Sequence, residues 1–169
     1  VVYSTLAGIA VWAFRRRLRN LTVGVVLSIA LGWGGYELLR ALIDRPRPPG
    51  TLTDLISNHG PSYPSGHLVA IVTAALVVVA TTTTTKQPRP QIEFWRWLGL
   101  ALILLVATDR WLLHAHWVSD LVGGILFGGF TASLALSVAR VHMQPERPTR
   151  AAVLAARTPK RNDIVVNPT

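Results

Sequence analysis

The sequence predicts an all-α fold, a polytopic bundle of transmembrane helices, on three observations. Half of the 169 residues are hydrophobic and only 15% are charged, against about 25% in an average soluble protein. The mean hydropathy is +0.39. The apolar residues also form long blocks that contain no Asp, Glu, Lys or Arg, at residues 21–36, 67–80, 98–107 and 121–139. Such blocks are typical of helices that cross the ~30 Å apolar core of a bilayer.

About five spans are expected in this chain. Residues 1–14 are apolar but short, start at Val rather than Met and lack the basic leader of a signal peptide, so we interpret them as the end of a helix. A sixth span could precede them in the full-length protein. The other spans are expected at about 21–43, 67–85, 94–113 and 118–140. Together the spans form a transmembrane core, residues 1–140, and the basic, proline-containing residues 141–169 are expected to be a disordered cytoplasmic tail.

The basic residues predict the orientation of the spans. They concentrate between the first and second spans, between the third and fourth, and after the fifth: Arg15, Arg16, Arg17 and Arg19, then Lys86, Arg89 and Arg96, then Arg140 and the tail. Under the positive-inside rule these three segments are cytoplasmic. Alternation then places residues 44–66 and the turn near 114–118 on the extracytoplasmic face of a cell membrane. Nearly all of the remaining polar residues lie in or beside those two segments.

Charge and cysteine content exclude several classes of protein. A net charge of +9 could indicate nucleic acid as a partner, but the basic residues sit at the ends of apolar blocks rather than on one polar face. We therefore expect membrane lipids, and no nucleic acid, as partners. The absence of Cys excludes disulfides, thiolate metal sites and a cysteine nucleophile. No pattern in the sequence indicates the oligomeric state.

Two local patterns are interpreted as packing features. The threonine run at 81–85 can bond its hydroxyl groups back to helix carbonyls near the end of a span. Gly124 and Gly128 form a small-xxx-small step that lets two helices approach closely.

Three polar clusters lie on the predicted extracytoplasmic side, at 40–48, 64–67 and 110–120. Taken singly, each has a structural explanation. The arginines could anchor helix ends at the interface, the serine could cap a helix, and the last histidine and aspartate could be a structural pair.

Taken together, the clusters suit the binding of a phosphate. Arg40, Arg47 and Arg110 are permanent cations whose forked donors match phosphate oxygens. Ser65 and Gly66 begin the third span, where free backbone N–H groups and the helix dipole attract anions. These five residues are the predicted phosphate-binding set.

Two histidines and an aspartate add the chemistry of phosphoryl transfer. His116 and Asp120 are four residues apart and so share one face of a helix. An Asp bonded to one ring nitrogen would fix the tautomer and leave the other nitrogen as a nucleophile. His67 supplies a second imidazole, which can protonate a leaving oxygen. Cations, backbone amides, a nucleophile and an acid suffice for this reaction, so no metal and no cofactor are expected.

The sequence resembles the type 2 phosphatidic acid phosphatases, a superfamily that also contains bacterial acid phosphatases, glucose-6-phosphatase and vanadium haloperoxidases. Its signature is Lys-x6-Arg-Pro, then Pro-Ser-Gly-His, then Ser-Arg-x5-His-x3-Asp. The matches, spread over roughly 21–140, are Arg40-x6-Arg47-Pro48, Pro64-Ser65-Gly66-His67 and Arg110-x5-His116-x3-Asp120. Arg far outnumbers Lys, which suggests a GC-rich genome and hence a bacterial membrane member.

The resemblance implies an integral membrane lipid phosphatase. The predicted phosphate-binding set would hold the phosphate, His116 would attack phosphorus to form a phosphohistidine, Asp120 would orient His116, and His67 would protonate the leaving oxygen. The substrate would be a phosphate or pyrophosphate monoester of a lipid. Polyprenyl pyrophosphate, a phosphorylated polyprenyl sugar, phosphatidate and phosphatidylglycerol phosphate all fit.

Two residues depart from the family signature. Arg40 replaces its usual Lys, which keeps the charge and changes the donor geometry. Asp109 replaces the usual Ser, which puts a negative charge near the expected phosphate unless Asp109 pairs with an arginine. Glu37, three residues before Arg40, could pair in the same way.

Alternatives stay open at this point. The same site could transfer the phosphoryl group to an alcohol, or hold vanadate as in the haloperoxidases, although those relatives are soluble. A non-catalytic relative that binds or transports lipid phosphates is a further alternative, but such a protein would be expected to lack one of the three catalytic residues.

Other polar or aromatic residues are given less specific roles. His114 and His116 could suggest a metal pair, but residues two apart diverge on a helix. His59 is expected to be a solvated loop residue that could touch a substrate head group. Trp111 and Trp117 fit an aromatic belt at the membrane interface.

Overall fold

A computed structural model describes residues 2–49 and 60–142, with the side chains of 141 and 142 left out. The chain in these ranges forms five α-helices: α1 (Val2–Arg15), α2 (Arg19–Ile43), α3 (Gly66–Thr84), α4 (Arg89–Leu112) and α5 (Val118–His142). No strand occurs in the described ranges. The all-α prediction is confirmed, and the four long helices begin and end within a few residues of the predicted spans. Residues 141 and 142 of the predicted tail continue α5, whereas residues 143–169 of the tail and His59 lie outside the described residues.

Four of the helices are long and apolar enough to cross a membrane, namely α2, α3, α4 and residues Val118–Arg140 of α5. Their outer faces carry large apolar side chains, including Leu104, Leu105, Leu126 and Phe130, all more than half exposed. A surface this apolar would be an aggregation hazard in water. The chain is therefore a membrane protein. The α1 helix has 14 residues, which at 1.5 Å per residue is shorter than the bilayer core.

Helices α2, α3 and α5 pack against one another and form the centre of the bundle. Helix α5 packs against α2 and α3, whereas α4 packs mainly against α3 and lies at the periphery. A Cβ atom on Gly128 would lie 2.8 Å from the carbonyl oxygen of Val69, and one on Gly124 would lie 2.7 Å from that of Ser65. The predicted close approach at these two glycines is confirmed, since only a residue without a side chain fits there.

A small apolar core lies near the end of the bundle where α1 turns into α2 and where α3 ends. Leu6, Ala10 and Ala13 of α1 pack with Leu21 and Val25 of α2 and with Val77 of α3. Just beyond it, the threonine run ends α3 as predicted: Thr81 Oγ1 donates to the Val77 carbonyl at 2.7 Å and Thr83 Oγ1 to the Val79 carbonyl at 2.7 Å.

Because the helices alternate in direction, α2 and α4 end, and α3 and α5 begin, at one end of the bundle. The three polar clusters, at 40–48, 64–67 and 110–120, therefore lie at that end.

Candidate active site

A pocket of about 440 Å³ lies at the end of the bundle where the polar clusters meet. Its lining includes six of the eight residues predicted from the sequence: Arg40, Arg47, Gly66, His67, Arg110 and His116. Residues that are separated by up to 76 positions in the chain therefore share one cavity. Of the predicted set, Ser65 and Asp120 do not line it.

Arg47 is fixed by two backbone carbonyls. Its Nε donates to the carbonyl of Gly60 at 3.0 Å and its Nη1 to that of Ala115 at 2.9 Å. Burial lowers the pKa of this guanidinium, and the nearby charges of Arg40 and Arg110 lower it further. Positive charge is thus concentrated at the pocket, which favours an anion there.

Arg40 and Arg110 each have an acidic neighbour. Nη1 of Arg40 lies 3.8 Å from a carboxylate oxygen of Glu37, one helical turn earlier. Arg110 bonds the carboxylate of Asp109 twice, through Nε at 2.7 Å and Nη2 at 2.6 Å. The pairing suggested for Asp109 and Glu37 is therefore present, and both arginines still line the pocket.

His116 is buried, with 6% of its surface exposed, and its ring is oriented by the main chain. Nδ1 lies 2.8 Å from the carbonyl oxygen of Ser62. Because a carbonyl can only accept, Nδ1 carries the hydrogen, and Nε2 of the neutral ring keeps its lone pair. Burial, and then the charge of Arg47, lower the pKa of His116 to about 4. The imidazole is therefore neutral at neutral pH.

Asp120 is fully buried beside His116 but does not accept its hydrogen bond. The nearer carboxylate oxygen, Oδ2, is 3.7 Å from Nδ1 of His116. Oδ2 instead accepts the backbone N–H of Trp117 at 2.9 Å, and Oδ1 accepts Nη1 of Arg45 at 2.9 Å. The first of these bonds is the reciprocal half of a capping box at the start of α5. In this structure Ser62, rather than Asp120, sets the tautomer of His116.

The start of α3 presents backbone amides to the pocket. Helix α3 begins at Gly66, so the N–H groups of Gly66 and His67 have no acceptor within the helix, and both residues line the pocket. Ser65 precedes them as the N-cap residue. Its N–H donates to the carbonyl of Asp120 at 3.0 Å, and its buried hydroxyl has no hydrogen-bond partner within the described ranges. Ser65 therefore links the start of α3 to α5, while Gly66 and His67 line the pocket.

Sequence reasoning missed Tyr36, Arg45 and Ser62. Tyr36 lines the pocket, and its ring lies so close to Gly66 that a Cβ atom there would come within 2.8 Å of Cζ. Its position four residues before Arg40 was a usable signal, since residues at that spacing share a helix face. Arg45 stands two residues before Arg47 in an Arg-Pro-Arg-Pro stretch. Ser62 acts through its main chain and left no signal.

The remaining pocket wall is aromatic and apolar. It consists of Val2, Tyr3, Trp33, Ala70, Ile71 and Val106. Helices α2 and α4 do not pack against each other, so residues of α1 and α3 complete the wall between Trp33 of α2 and Val106 of α4.

No metal-binding group stands out in the part of the chain that the structure describes: no three His, Cys, Asp or Glu side chains are grouped to hold an ion. His114 lies in the turn after α4, with a left-handed backbone, φ 51°, and is exposed. Trp117, which was predicted to belong to an aromatic belt, also forms a hydrogen bond within the protein: its Nε1 donates to the carbonyl of Pro46 at 3.0 Å.

Comparison with known proteins identifies the family of the chain. The family model of the PAP2 superfamily matches residues 17–144, which include every residue that lines the polar part of the pocket. No curated protein and no solved structure matches the sequence significantly. The match covers most of the chain and supports an activity of the phosphatase type. The protein therefore belongs to the PAP2 superfamily, the type 2 phosphatidic acid phosphatase superfamily.

Proposed function

We propose that this membrane protein is a lipid phosphatase that hydrolyses a phosphate or pyrophosphate monoester of a lipid through a phosphohistidine, without a metal. The observation that carries the proposal is the orientation of His116. A buried, neutral imidazole with Nδ1 tied to Ser62 has one free ring nitrogen, and it lines a pocket with three arginines. A nucleophile and a cationic phosphate site therefore share one cavity.

In the first step, Nε2 of His116 attacks phosphorus. A P–N bond forms and the bond between phosphorus and the ester oxygen breaks. Protonated His67 gives its proton to the departing oxygen, so the lipid leaves as an alcohol or, from a pyrophosphate, as a monophosphate. Arg40, Arg47 and Arg110 neutralise the charge on the three equatorial oxygens.

In the second step, water attacks the phosphohistidine. Neutral His67 accepts a proton from the water as it attacks, the P–N bond breaks, and the electron pair returns to Nε2 of His116. Inorganic phosphate is released. The amides of Gly66 and His67 at the start of α3 are placed to hold the phosphate through both steps.

The apolar wall of the pocket supports a lipid as the substrate. Because α2 and α4 do not pack against each other, a tail can lie between them along Ile71 of α3 while its phosphate reaches the arginines. The distribution of basic residues supports the extracytoplasmic face for the site, since the arginines of the α1–α2 turn lie at the opposite end of the bundle. Polyprenyl pyrophosphate, a phosphorylated polyprenyl sugar, phosphatidate and phosphatidylglycerol phosphate remain the candidate substrates.

The test is phosphate release from that panel of lipids in detergent micelles with excess chelator. Wild type is compared with His116→Ala and with His114→Ala, a matched control two residues away. We expect release by wild type and His114→Ala and none by His116→Ala. Loss of activity on adding chelator would contradict the metal-free mechanism. Binding of lipid phosphates without turnover would favour a binding or transport protein, and phosphorylation of an added alcohol in place of water would favour a phosphotransferase.

A further inference from the structure

Arg45 connects the loop before α3 to the first turn of α5. Its Nη1 donates to Asp120 Oδ1 at 2.9 Å and to Ser119 Oγ at 2.6 Å. Its guanidinium also lies over the ring of Trp117, 5.4 Å from the centroid, a cation–π contact. The neighbouring Pro46 carbonyl accepts the indole N–H of the same tryptophan.

The main chain of the same two residues supports Ser62. The carbonyl of Arg45 accepts the backbone N–H of Ser62 at 2.7 Å, and the carbonyl of Pro46 accepts its hydroxyl at 3.1 Å. Ser62 is fully buried, and its own carbonyl accepts Nδ1–H of His116 at 2.8 Å. The orientation of the histidine ring is thus determined through residues 45 and 46.

The side chain of Arg45 also determines what Asp120 can bind. Asp120 is fully buried and would be costly to leave unpaired, and among the described residues its one arginine partner is Arg45. With Arg45 on Oδ1 and the Trp117 N–H on Oδ2, the carboxylate is held at 3.7 Å from Nδ1 of His116. Without Arg45, the ring of His116 is the one remaining ionisable group within 4.0 Å of the carboxylate among the described residues.

We infer that Arg45 is a positioning residue of the proposed phosphatase reaction. Its side chain keeps Asp120 away from the ring of His116, and its main chain keeps the Ser62 carbonyl hydrogen-bonded to that ring. Nε2 of His116 then faces the phosphate. Arg45 does not line the pocket and acts through these two residues. The inference rests on the proposed function for its kinetic part only, since the orientation of His116 can be measured without a substrate.

The replacement Arg45→Gln separates this role from phosphate binding. Freed Asp120 would approach Nδ1 of His116 and stabilise the imidazolium, so the pKa of His116 should rise above its wild-type value. The other charged or titratable groups that face His116 are Arg47 from the loop and His67 from α3, with Arg110 of α4 across the pocket, and all three are unchanged in the variant. A misdirected nucleophile should lower kcat by about 100-fold, while KM should change little because the phosphate-binding arginines are intact.

The experiment measures kcat and KM for lipid phosphate hydrolysis and, in the resting protein, the NMR titration of His116. Arg96→Gln is the matched control, because Arg96 forms an exposed ion pair with Glu93 at 2.7 Å on the far part of α4. Arg45→Lys keeps the charge beside Asp120. It should restore the titration of His116 and part of kcat, and it replaces Arg45→Gln if that variant does not fold.

The inference is overturned if Arg45→Gln keeps the wild-type kcat, if its loss lies in KM, or if the titration of His116 is unmoved. If wild type releases no phosphate from any lipid, the proposed function has failed, and the titrations of His116 in wild type and Arg45→Gln still decide whether Arg45 controls the ring.

Discussion

The carbonyl oxygen of Ser62 lies 2.8 Å from Nδ1 of His116, and this bond defines the chemistry of the pocket. It places the hydrogen of the neutral ring on Nδ1 and leaves Nε2 unprotonated. A main-chain acceptor carries no charge, so it orients the imidazole without strongly favouring the imidazolium. Asp120, at 3.7 Å, is too far to take the same hydrogen.

The first prediction concerns the protonation of His116. Burial and the charge of Arg47 lower its pKa to about 4, against an ordinary value of about 6.5. Because the pKa is lowered, the ring stays neutral as the pH falls and becomes charged only near pH 4. We expect the His116 resonance, assigned by its loss in His116→Ala, to titrate near pH 4 in the substrate-free protein. NMR is preferred to a rate profile because phosphate monoesters themselves ionise near pH 6. Titration near pH 6.5 would contradict the buried, main-chain-bonded ring.

The second prediction concerns the contact between Gly66 and Tyr36. In Gly66→Ala the new methyl group would lie 2.8 Å from Cζ of Tyr36, so the ring must move and the start of α3 must shift against the arginines. We expect kcat/KM to fall by about 100-fold, the cost of displacing a catalytic group by ~1 Å, with the fold retained. The control is Gly34→Ala on the outer face of α2, where no atom lies within 4 Å of the added methyl. If Gly66→Ala were as active as Gly34→Ala, the close contact between Gly66 and Tyr36 would be refuted.

The third prediction concerns the seam between α3 and α5. Gly128→Ala places a methyl 2.8 Å from the main-chain oxygen of Val69, and a helix backbone cannot move as a side chain can. We expect a loss of about 1–3 kcal/mol of stability, as for other overpacked sites, seen as a lower unfolding temperature in detergent. Gly129→Ala, whose nearest contact is 4.0 Å away at Val72, should unfold like wild type. If Gly128→Ala unfolded at the wild-type temperature, α3 and α5 would be less closely packed than the 2.8 Å contact indicates.

The fourth prediction concerns Arg40, which stands where the superfamily signature has Lys. A charged hydrogen bond is worth about 1.5–3 kcal/mol, so Arg40→Ala should raise KM for the lipid phosphate by about 10- to 100-fold. Arg40→Lys should keep most of the affinity because the positive charge remains at the pocket. Vanadate resembles the five-coordinate transition state, so inhibition by vanadate should weaken strongly in Arg40→Ala and only slightly in Arg40→Lys. If Arg40→Lys is as impaired as Arg40→Ala, the forked geometry of the guanidinium is required, and charge alone is not enough.

The sequence determined the helices well because the signal for a span is local. Uncharged blocks of the right length fix where α2, α3 and α5 run, and the polar ends of α2 and α4 place Arg40 and Arg110 at the same end of the bundle by alternation alone. The same reasoning brought His67 and His116 to that end.

The contacts that orient the site could not be predicted in this way. Ser62 acts through a carbonyl, which every residue has, so nothing in its side chain distinguishes it. Arg45 resembles an interfacial anchor until the fold brings the loop against α5 and its partner Asp120. Ser65 is buried and does not line the pocket, because Gly124 of α5 lies against its carbonyl group. That contact depends on how α3 and α5 pack.

The proposed phosphohistidine is tested most directly by trapping the phosphorylated protein. Wild type is mixed with a ³²P-labelled lipid phosphate in excess chelator, quenched in alkali within the first turnover, and digested for mass spectrometry. We expect a transient label that is stable to alkali, is lost in acid and is carried by His116 at Nε2, with no label in His116→Ala and a normal label in His114→Ala. Rapid release of phosphate by wild type without any labelled protein, or a label on another residue, would contradict it.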